Sequence, residues 1–325
     1  MIYKSCHLLE YGISFNSSSI RTCCCTKHKG GGELVLKENF DGKNICIDEL
    51  FAKKENYRRL FKMGTPPSEC EGCPWIEENN WSIENKINYI HINHWTKCNC
   101  NCSYCFSFEN KNEFNKFKNY QILPTLKTLL KEECVDNGTL VEFAGGECTE
   151  LQEFDKIMDL LSKNHCKFTI NSSGIKFNKK IEKNLKNKTL NLVISPDAGT
   201  KETYEKIKNV KMFDKVWENI KKYSKAQQND EHNEFGKLKL KYVIIPDTND
   251  NKYEFSEFIE KCVNINCHNI IIDIEKNWLE NNFDKTPNHI FALLAHAENK
   301  TKEYSINLEL ADGILIMNSS KEPKI

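Results

Sequence analysis

From about residue 86 onward the apolar positions of this chain switch repeatedly between two periods. Short β-branched and aromatic runs read as strands, and longer segments with apolar residues three and four apart read as helices. Strand-like runs fall at Ile87 to Ile92, Leu140 to Ala144, Phe168 to Asn171, Leu190 to Ser195, Leu238 to Ile245, Ile270 to Ile274 and Ile306 to Leu310. Helical patterns lie between them, over Tyr120 to Cys134, Leu151 to Asn164, Lys176 to Leu185, Thr200 to Tyr223, Tyr253 to Val263 and His289 to Lys302. Pro124 suits the first turn of its helix, and Thr200 is a good N-cap residue. The first strand has apolar residues on both faces, as a buried parallel strand does. Six main βα units predict an α/β domain over 86–325.

Residues 1–85 have a different pattern and predict a separate, cysteine-laden region. Leu8 to Phe15 and Ile20 to Thr22 predict a hairpin turning at Asn16-Ser17-Ser18, with Cys6 and Cys23-Cys24-Cys25 at its open end. A short strand at Leu34 to Leu36 and a polar helix over Ile47 to Met63 follow. Then comes a compact knuckle, Cys70-Glu71-Gly72-Cys73. Cys6, one of Cys23 or Cys24, Cys70 and Cys73 make a complete four-thiolate set. Iron–sulfur and structural zinc are both compatible with that spacing.

Composition narrows the function classes. Lys+Arg and Asp+Glu are both 46 in 325 residues, so the formal net charge is zero and gives no electrostatic case for nucleic acid or a membrane surface. Met1 to Glu10 is too short and polar for a signal peptide, and no long apolar run appears. The expectation is a cytoplasmic protein. In that compartment sixteen cysteines imply metal or redox chemistry rather than disulfides, and such thiols favour an anaerobic host.

The densest chemistry is Lys97 to Phe106, where Cys98, Cys100, Cys102 and Cys105 sit on the loop leaving a predicted strand. Cys98, Cys102 and Cys105 have the spacing C-x3-C-x2-C. Three close thiolates suit iron or zinc, and on a cubane cluster they leave one iron open. A zinc knuckle using all four, or a free thiol cluster, is the bland alternative. The pattern resembles that of the radical S-adenosylmethionine (SAM) superfamily. That resemblance implies a [4Fe-4S] cluster whose open iron chelates SAM, with Tyr104 near the adenine. It also implies a partial (β/α)6 TIM-like barrel, here with a small Cys-rich N-terminal domain, and ligands at the C-terminal mouth of the strands.

Other loops at that mouth extend the resemblance. Gly145-Gly146-Glu147 follows the second strand and is similar to the family's GGE motif, which holds the SAM amino group. Glycines allow close backbone approach, and a carboxylate accepts from an ammonium group. Ser195-Pro196-Asp197 stands where relatives have Ser-Leu-Asp or Ser-Ile-Asp. This makes Ser195 a candidate for SAM and Asp197 a candidate facing the substrate, although Pro196 departs from the pattern. Asn171 and Ser172 also lie at the mouth, where helix capping explains the serine equally well. Cys148 is a bystander or a hydrogen donor, and Asp273 and Glu275 end the sixth strand.

By the same resemblance, the Cys6, Cys23, Cys70 and Cys73 region is similar to SPASM or twitch-type appendages and would hold a second, auxiliary [4Fe-4S] cluster. In those families the appendage follows the barrel, whereas here it precedes it. The implied function is reductive SAM cleavage and hydrogen abstraction from a peptide or protein, fed by an electron donor such as flavodoxin or ferredoxin. A small metabolite or sugar is the alternative substrate. A non-catalytic iron–sulfur or zinc protein is the alternative of another class.

Overall fold

The computed structural model describes residues 2–23, 31–43, 45–81, 84–105, 120–228, 232–282, 287–311 and 314. The chain forms two compact units, Met1–Lys97 with Lys111–Thr169, and Cys98–Asn110 with Ile170–Ile325.

The strands of the first unit are β1 (Ile2–Ser5), β2 (Gly12–Phe15), β3 (Ile20–Arg21), β4 (Val35–Lys37), β5 (Glu77–Asn80), β6 (Ile87–Ile92) and β7 (Val135–Phe143). β1 pairs antiparallel with β5, and the others run in the order β4-β3-β2-β6-β7. The β2–β3 hairpin is antiparallel with Phe15 opposite Ile20, while β2 lies parallel to β6 and β6 parallel to β7. The N-terminal hairpin therefore extends the sheet that β6 begins. Leu8 does not belong to that hairpin. Residues His7–Tyr11 form a helical turn, because the Cys6 thiol accepts the Leu9 N–H at 3.3 Å and caps it. Helix Ile47–Lys62 buries Leu50, Phe51 and Phe61, together with the charged Lys54 and Arg58. Arg58 can be buried because Nε meets Glu10 Oε2 at 2.8 Å and Nη2 donates to the Glu10 carbonyl at 2.7 Å.

Helices Leu123–Lys131 and Phe154–Lys163 follow β6 and β7. The second buries Phe154, Ile157, Met158 and Leu161 at helical spacing, each contributing about 1.5–3 kcal/mol.

The second unit contains β8 (Lys167–Ser172), through which the chain enters it, then β9 (Leu190–Ile194), β10 (Leu238–Ile244), β11 (Asn269–Ile274) and β12 (Asn307–Leu310). They are neighbours in chain order, and the β9–β10, β10–β11 and β11–β12 pairs are parallel. The α/β class with parallel strands is the one expected. The stretch expected as one helix over Thr200 to Tyr223 is two, Lys201–Lys208 and Phe213–Ser224. The break lies at Asn209, which is left-handed at φ 53°, a conformation that asparagine tolerates better than most residues.

A second regularity concerns the helix-to-strand turns. Glu133, His165, Lys188, Asn266 and Ser305 are all left-handed, with φ between 53° and 62°. In each turn the next residue donates its N–H to the carbonyl five positions back, at 2.8–3.1 Å, as in Cys134 to Leu129 and Cys267 to Cys262. This closes the helix in a Schellman-like cap without a glycine. Among the described residues, no helix is long and apolar enough to cross a membrane.

Candidate functional site

In the second unit the cysteine loop is fastened to the C-terminal end of helix Lys201–Lys208. The Asn101 N–H donates to the Lys208 carbonyl at 3.0 Å, and the Ser103 N–H donates to the Ile207 carbonyl at 2.8 Å. Asn209, just past the helix, returns its side-chain amide to the Asn101 carbonyl at 2.8 Å. Carbonyls left open at a helix end are satisfied by the loop's own amides. Ser173 adds a tie to the Asn99 side chain at 2.9 Å.

Side chains tighten the same attachment. The Tyr104 hydroxyl donates to Asp197 Oδ2 at 2.5 Å, and the Lys208 ammonium donates to that oxygen and, at 3.0 Å, to the Tyr104 hydroxyl. Asp197 Oδ1 accepts the Val243 N–H at 2.9 Å, and the Asp197 carbonyl accepts from Asn249 at 2.7 Å. Both carboxylate oxygens of Asp197, the residue expected at the substrate, are thus engaged by the protein. Its left-handed backbone, φ 57°, is held by the same bonds. Burial works against the Lys208 ammonium, but the Asp197 carboxylate and then Tyr104 outweigh it and hold its pKa well above the usual lysine value.

The thiols in this loop influence one another. Cys100 lies between Cys98 and Cys102, hydrogen bonding to both, and this raises its own pKa far above the usual thiol range. Cys102 is drawn down to about 7, first by the bond from Cys100, against burial, and then by the Lys208 charge. The Cys100 N–H is directed at the Cys98 sulfur at 3.4 Å. One helical turn before Lys208, Tyr204 is fully buried. Its hydroxyl has no partner among the described residues.

In the first unit, Gly145-Gly146-Glu147 follows β7, and its glycines bring main chain against main chain. The Gly146 N–H donates to the Trp95 carbonyl at 2.6 Å, and the Glu147 N–H donates to the Lys97 carbonyl at 2.9 Å. A Cβ on Gly146 would stand 2.4 Å from the Lys97 oxygen, and Gly145 is left-handed at φ 82°. Glu147 is buried, and its Oε1 accepts from the Thr149 hydroxyl at 2.6 Å and the Thr149 N–H at 3.2 Å. Cys148 is buried beside it, with Sγ 3.9 Å from Glu147 Oε1, and burial followed by that carboxylate raises its thiol pKa well above the usual value.

The first unit also gathers the N-terminal cysteines. Cys6, Cys23, Cys70 and Cys73 lie within electrostatic range of one another. Burial and then this mutual repulsion push the Cys70 thiol up to about 12. Cys6 also reaches about 12, with the Leu9 amide partly offsetting its burial. Cys24 and Cys25 lie outside the described residues.

Among the described residues no three His, Cys, Asp or Glu side chains are close enough to hold a metal ion as placed. The donor chemistry nonetheless fits iron–sulfur clusters. The described cysteines are free thiols, amide N–H groups point at the Cys98 and Cys6 sulfurs, and the buried Tyr204 hydroxyl on the helix that carries the loop is unpartnered among the described residues.

The other predicted residues have simpler surroundings. Asn171 is exposed at the end of β8, the Ser172 hydroxyl accepts the Gly174 N–H at 3.1 Å, and Ser195 is half-buried after β9. Asp273 pairs with Lys241 at 2.6 Å, and Glu275 accepts the Asn277 and Trp278 amides at the start of the next helix. His91 is tied to Ser14 at 2.9 Å. Lys208, Tyr204, Asn101 and Asn209 were missed, because in sequence they read as an ordinary polar helix end and loop.

The model described as Radical SAM superfamily matches residues 92–259 of the chain. Among solved structures, Streptococcus suis SuiB is similar at 13% identity and TM-score 0.52, covering 81% of this chain and 54% of its own. SuiB bound to precursor peptide SuiA is similar at 12% identity and TM-score 0.52, covering 96% and 73%. Native anSMEcpe with bound AdoMet and Kp18Cys peptide is similar at 18% identity and TM-score 0.50, covering 68% and 63%. The chain thus spans about half the length of the first of these structures. No curated protein matches it by sequence.

Proposed function

This chain belongs to the radical SAM superfamily of enzymes, and we propose that it abstracts a hydrogen atom from a peptide or protein substrate. In such an enzyme a [4Fe-4S] cluster with one open iron supplies the electron that splits SAM into methionine and a 5′-deoxyadenosyl radical. The observation that carries the reading is the cysteine loop, three thiols in C-x3-C-x2-C spacing hydrogen-bonded to a helix end at the start of the matched span.

Cys98, Cys102 and Cys105 are the ligands in this reading. Gly145, Gly146 and Glu147 receive the SAM amino group, and Ser195, Asn171 and Ser172 take its other polar groups. Tyr104 faces the adenine with its ring set by the bond to Asp197. We assign Asp197 to anchoring the loop, since its carboxylate is already bonded to Lys208, Tyr104 and the Val243 amide. Cys6, Cys23, Cys70 and Cys73, in the region 1–85, hold a second [4Fe-4S] cluster that takes up the electron left after hydrogen abstraction. Cys148, buried beside Glu147, is the thiol available as a hydrogen donor if the outcome is epimerisation.

A peptide substrate is supported by the fold shared with SuiB, one structure of which holds a precursor peptide, and with anSMEcpe bound to a peptide. The electron donor is a flavodoxin or ferredoxin.

Anaerobic reconstitution with iron and sulfide tests the assignment. About eight irons per chain are expected, falling to about four in a Cys98→Ala/Cys102→Ala/Cys105→Ala variant, because each cubane holds four irons. 5′-Deoxyadenosine should form from SAM and dithionite only in the wild type. Zinc in place of iron, or no deoxyadenosine from the fully reconstituted wild type, refutes the reading.

A further inference from the structure

Helix Lys201–Lys208 presents two buried polar side chains on the face that carries the cysteine loop. Lys208 is one of them. The other, Tyr204, is four residues earlier and therefore on the same side of the helix. Tyr204 is 0% exposed, and its ring packs edge-on against Phe213 with centroids 5.6 Å apart. Its hydroxyl has no partner among the described residues, whereas the buried hydroxyls of Tyr223 and Tyr242 are each bonded to the main chain, at 2.7 and 2.6 Å.

A buried hydroxyl without a partner is costly, so a tyrosine here is disfavoured over phenylalanine unless something bonds to it. The charged and polar groups nearest in effect are the Cys100 thiol and then Lys208, Cys102 and Asp197. Asp197 already accepts from Lys208, Tyr104 and Val243. Among the described residues that leaves the sulfurs of the cysteine loop, which act on the O–H through charge and do not themselves bond to it. A neutral thiol is a weak acceptor. An anionic cluster sulfur is a stronger one, because an ionised acceptor roughly doubles the strength of a hydrogen bond.

We propose that the Tyr204 hydroxyl is a hydrogen-bond donor to the sulfur of the cluster held by the Cys98–Cys105 loop, and that with the Lys208 charge it raises the reduction potential of that cluster. Hydrogen bonds to cluster sulfurs and nearby positive charge both stabilise the reduced, more negative state. This rests on the cluster assignment above.

The test is Tyr204→Phe in the reconstituted full chain, with Tyr223→Phe as a control that also loses a buried hydroxyl, one that accepts the Asn178 N–H. The midpoint potential of the SAM-responsive signal is followed by EPR in an anaerobic redox titration. Tyr204→Phe is expected to shift the reduction equilibrium about tenfold toward the oxidised state, ~59 mV for one electron, with the control unmoved. A second measurement is the thermal midpoint of the metal-free proteins. There Tyr204→Phe loses no bond, so its midpoint should be unchanged or higher. Lower iron retention with that unchanged midpoint also supports the proposal. An unchanged potential with full iron, an equal shift in Tyr223→Phe, or a lower metal-free midpoint in Tyr204→Phe overturns it and leaves the cluster assignment standing. A wild type that takes up no iron overturns both.

Discussion

Asp197→Asn separates anchoring from catalysis. The substitution keeps shape and tolerates the left-handed backbone, φ 57°, as asparagine does. It keeps an oxygen for the Val243 N–H, so the main change is loss of charge. Lys208, with 5% of its side chain exposed, then has no carboxylate partner among the described residues. Breaking a buried pair by removing one partner costs about 3–5 kcal/mol. Lys208→Met alone should cost a similar amount, because it strands the carboxylate. The double variant Asp197→Asn/Lys208→Met leaves neither charge, and its cost should be about 2–3 kcal/mol less than the sum of the singles, the coupling expected of contacting residues. Urea unfolding of the metal-free chain, followed by tryptophan fluorescence under anaerobic reducing conditions, gives these differences. Iron retention should fall in step, since Tyr104 and the loop amides around Cys102 hang on the same helix end. A single variant with wild-type unfolding and full iron, but no product from substrate, would refute the anchoring role and return the carboxylate to substrate.

Gly146→Ala places a Cβ 2.4 Å from the Lys97 oxygen. The strain of about 1–3 kcal/mol should show as a lower unfolding midpoint and weaker SAM binding by calorimetry, and an unchanged SAM affinity would exclude the loop from the site. His165→Gly, at φ 59°, should stabilise the protein by about 0.5–1 kcal/mol while His165→Val destabilises it, read as shifts in urea midpoint. Lys54 is buried, and burial followed by the Arg58 charge lowers its pKa to about 7 from an unfolded value of 10.5. Between those two values the unfolded chain binds the extra proton, so in metal-free protein this group makes stability rise with pH, by up to about 1.4 kcal/mol per unit. Below the lower value its contribution is flat. Lys54→Met should abolish that slope in unfolding measured from pH 7 to pH 9.

Strand positions were legible because burial on a parallel sheet writes itself as β-branched runs. The Ile87 to Ile92 run is observed with the same limits, and Leu190 to Ser195 and Ile270 to Ile274 each differ by one residue at one end. The left-handed break at Asn209 was not legible, because Asn209 is a polar residue between two polar helical patterns and no glycine marks it. The helical turn at Leu8 to Tyr11 was not legible for a related reason, since a thiol is an unusual helix cap. Spacing in sequence gave the cysteine loop, but its attachment is tertiary. Asn101 and Lys208 are over a hundred positions apart, and no local period records that they bond.

The sixteen cysteines divide on the same physical ground. Cys134, Cys166 and Cys267 each occupy the position after a left-handed residue, where the chain turns from helix into strand and the side chain is buried at 6%, 1% and 1% exposure. Isoleucine fills the equivalent place at Ile306 and threonine at Thr189, so the site asks for a small or branched side chain that fits beneath the turn. Burial raises the pKa of the Cys166 and Cys267 thiols, and at these turns they pack as small hydrophobes. Cys262 belongs with them, fully buried on its helix with its carbonyl closing the Cys267 turn. Among the other described thiols, Cys6, Cys23 and Cys73 all act on Cys70, and Cys98 and Cys102 both bond to Cys100, so these stand in groups of more than two, unlike the pair Cys262 and Cys267. Grouped thiols repel when ionised, and a bound metal is what relieves that repulsion. That is a reason to place the chemistry in these two groups and to treat the turn cysteines as packing.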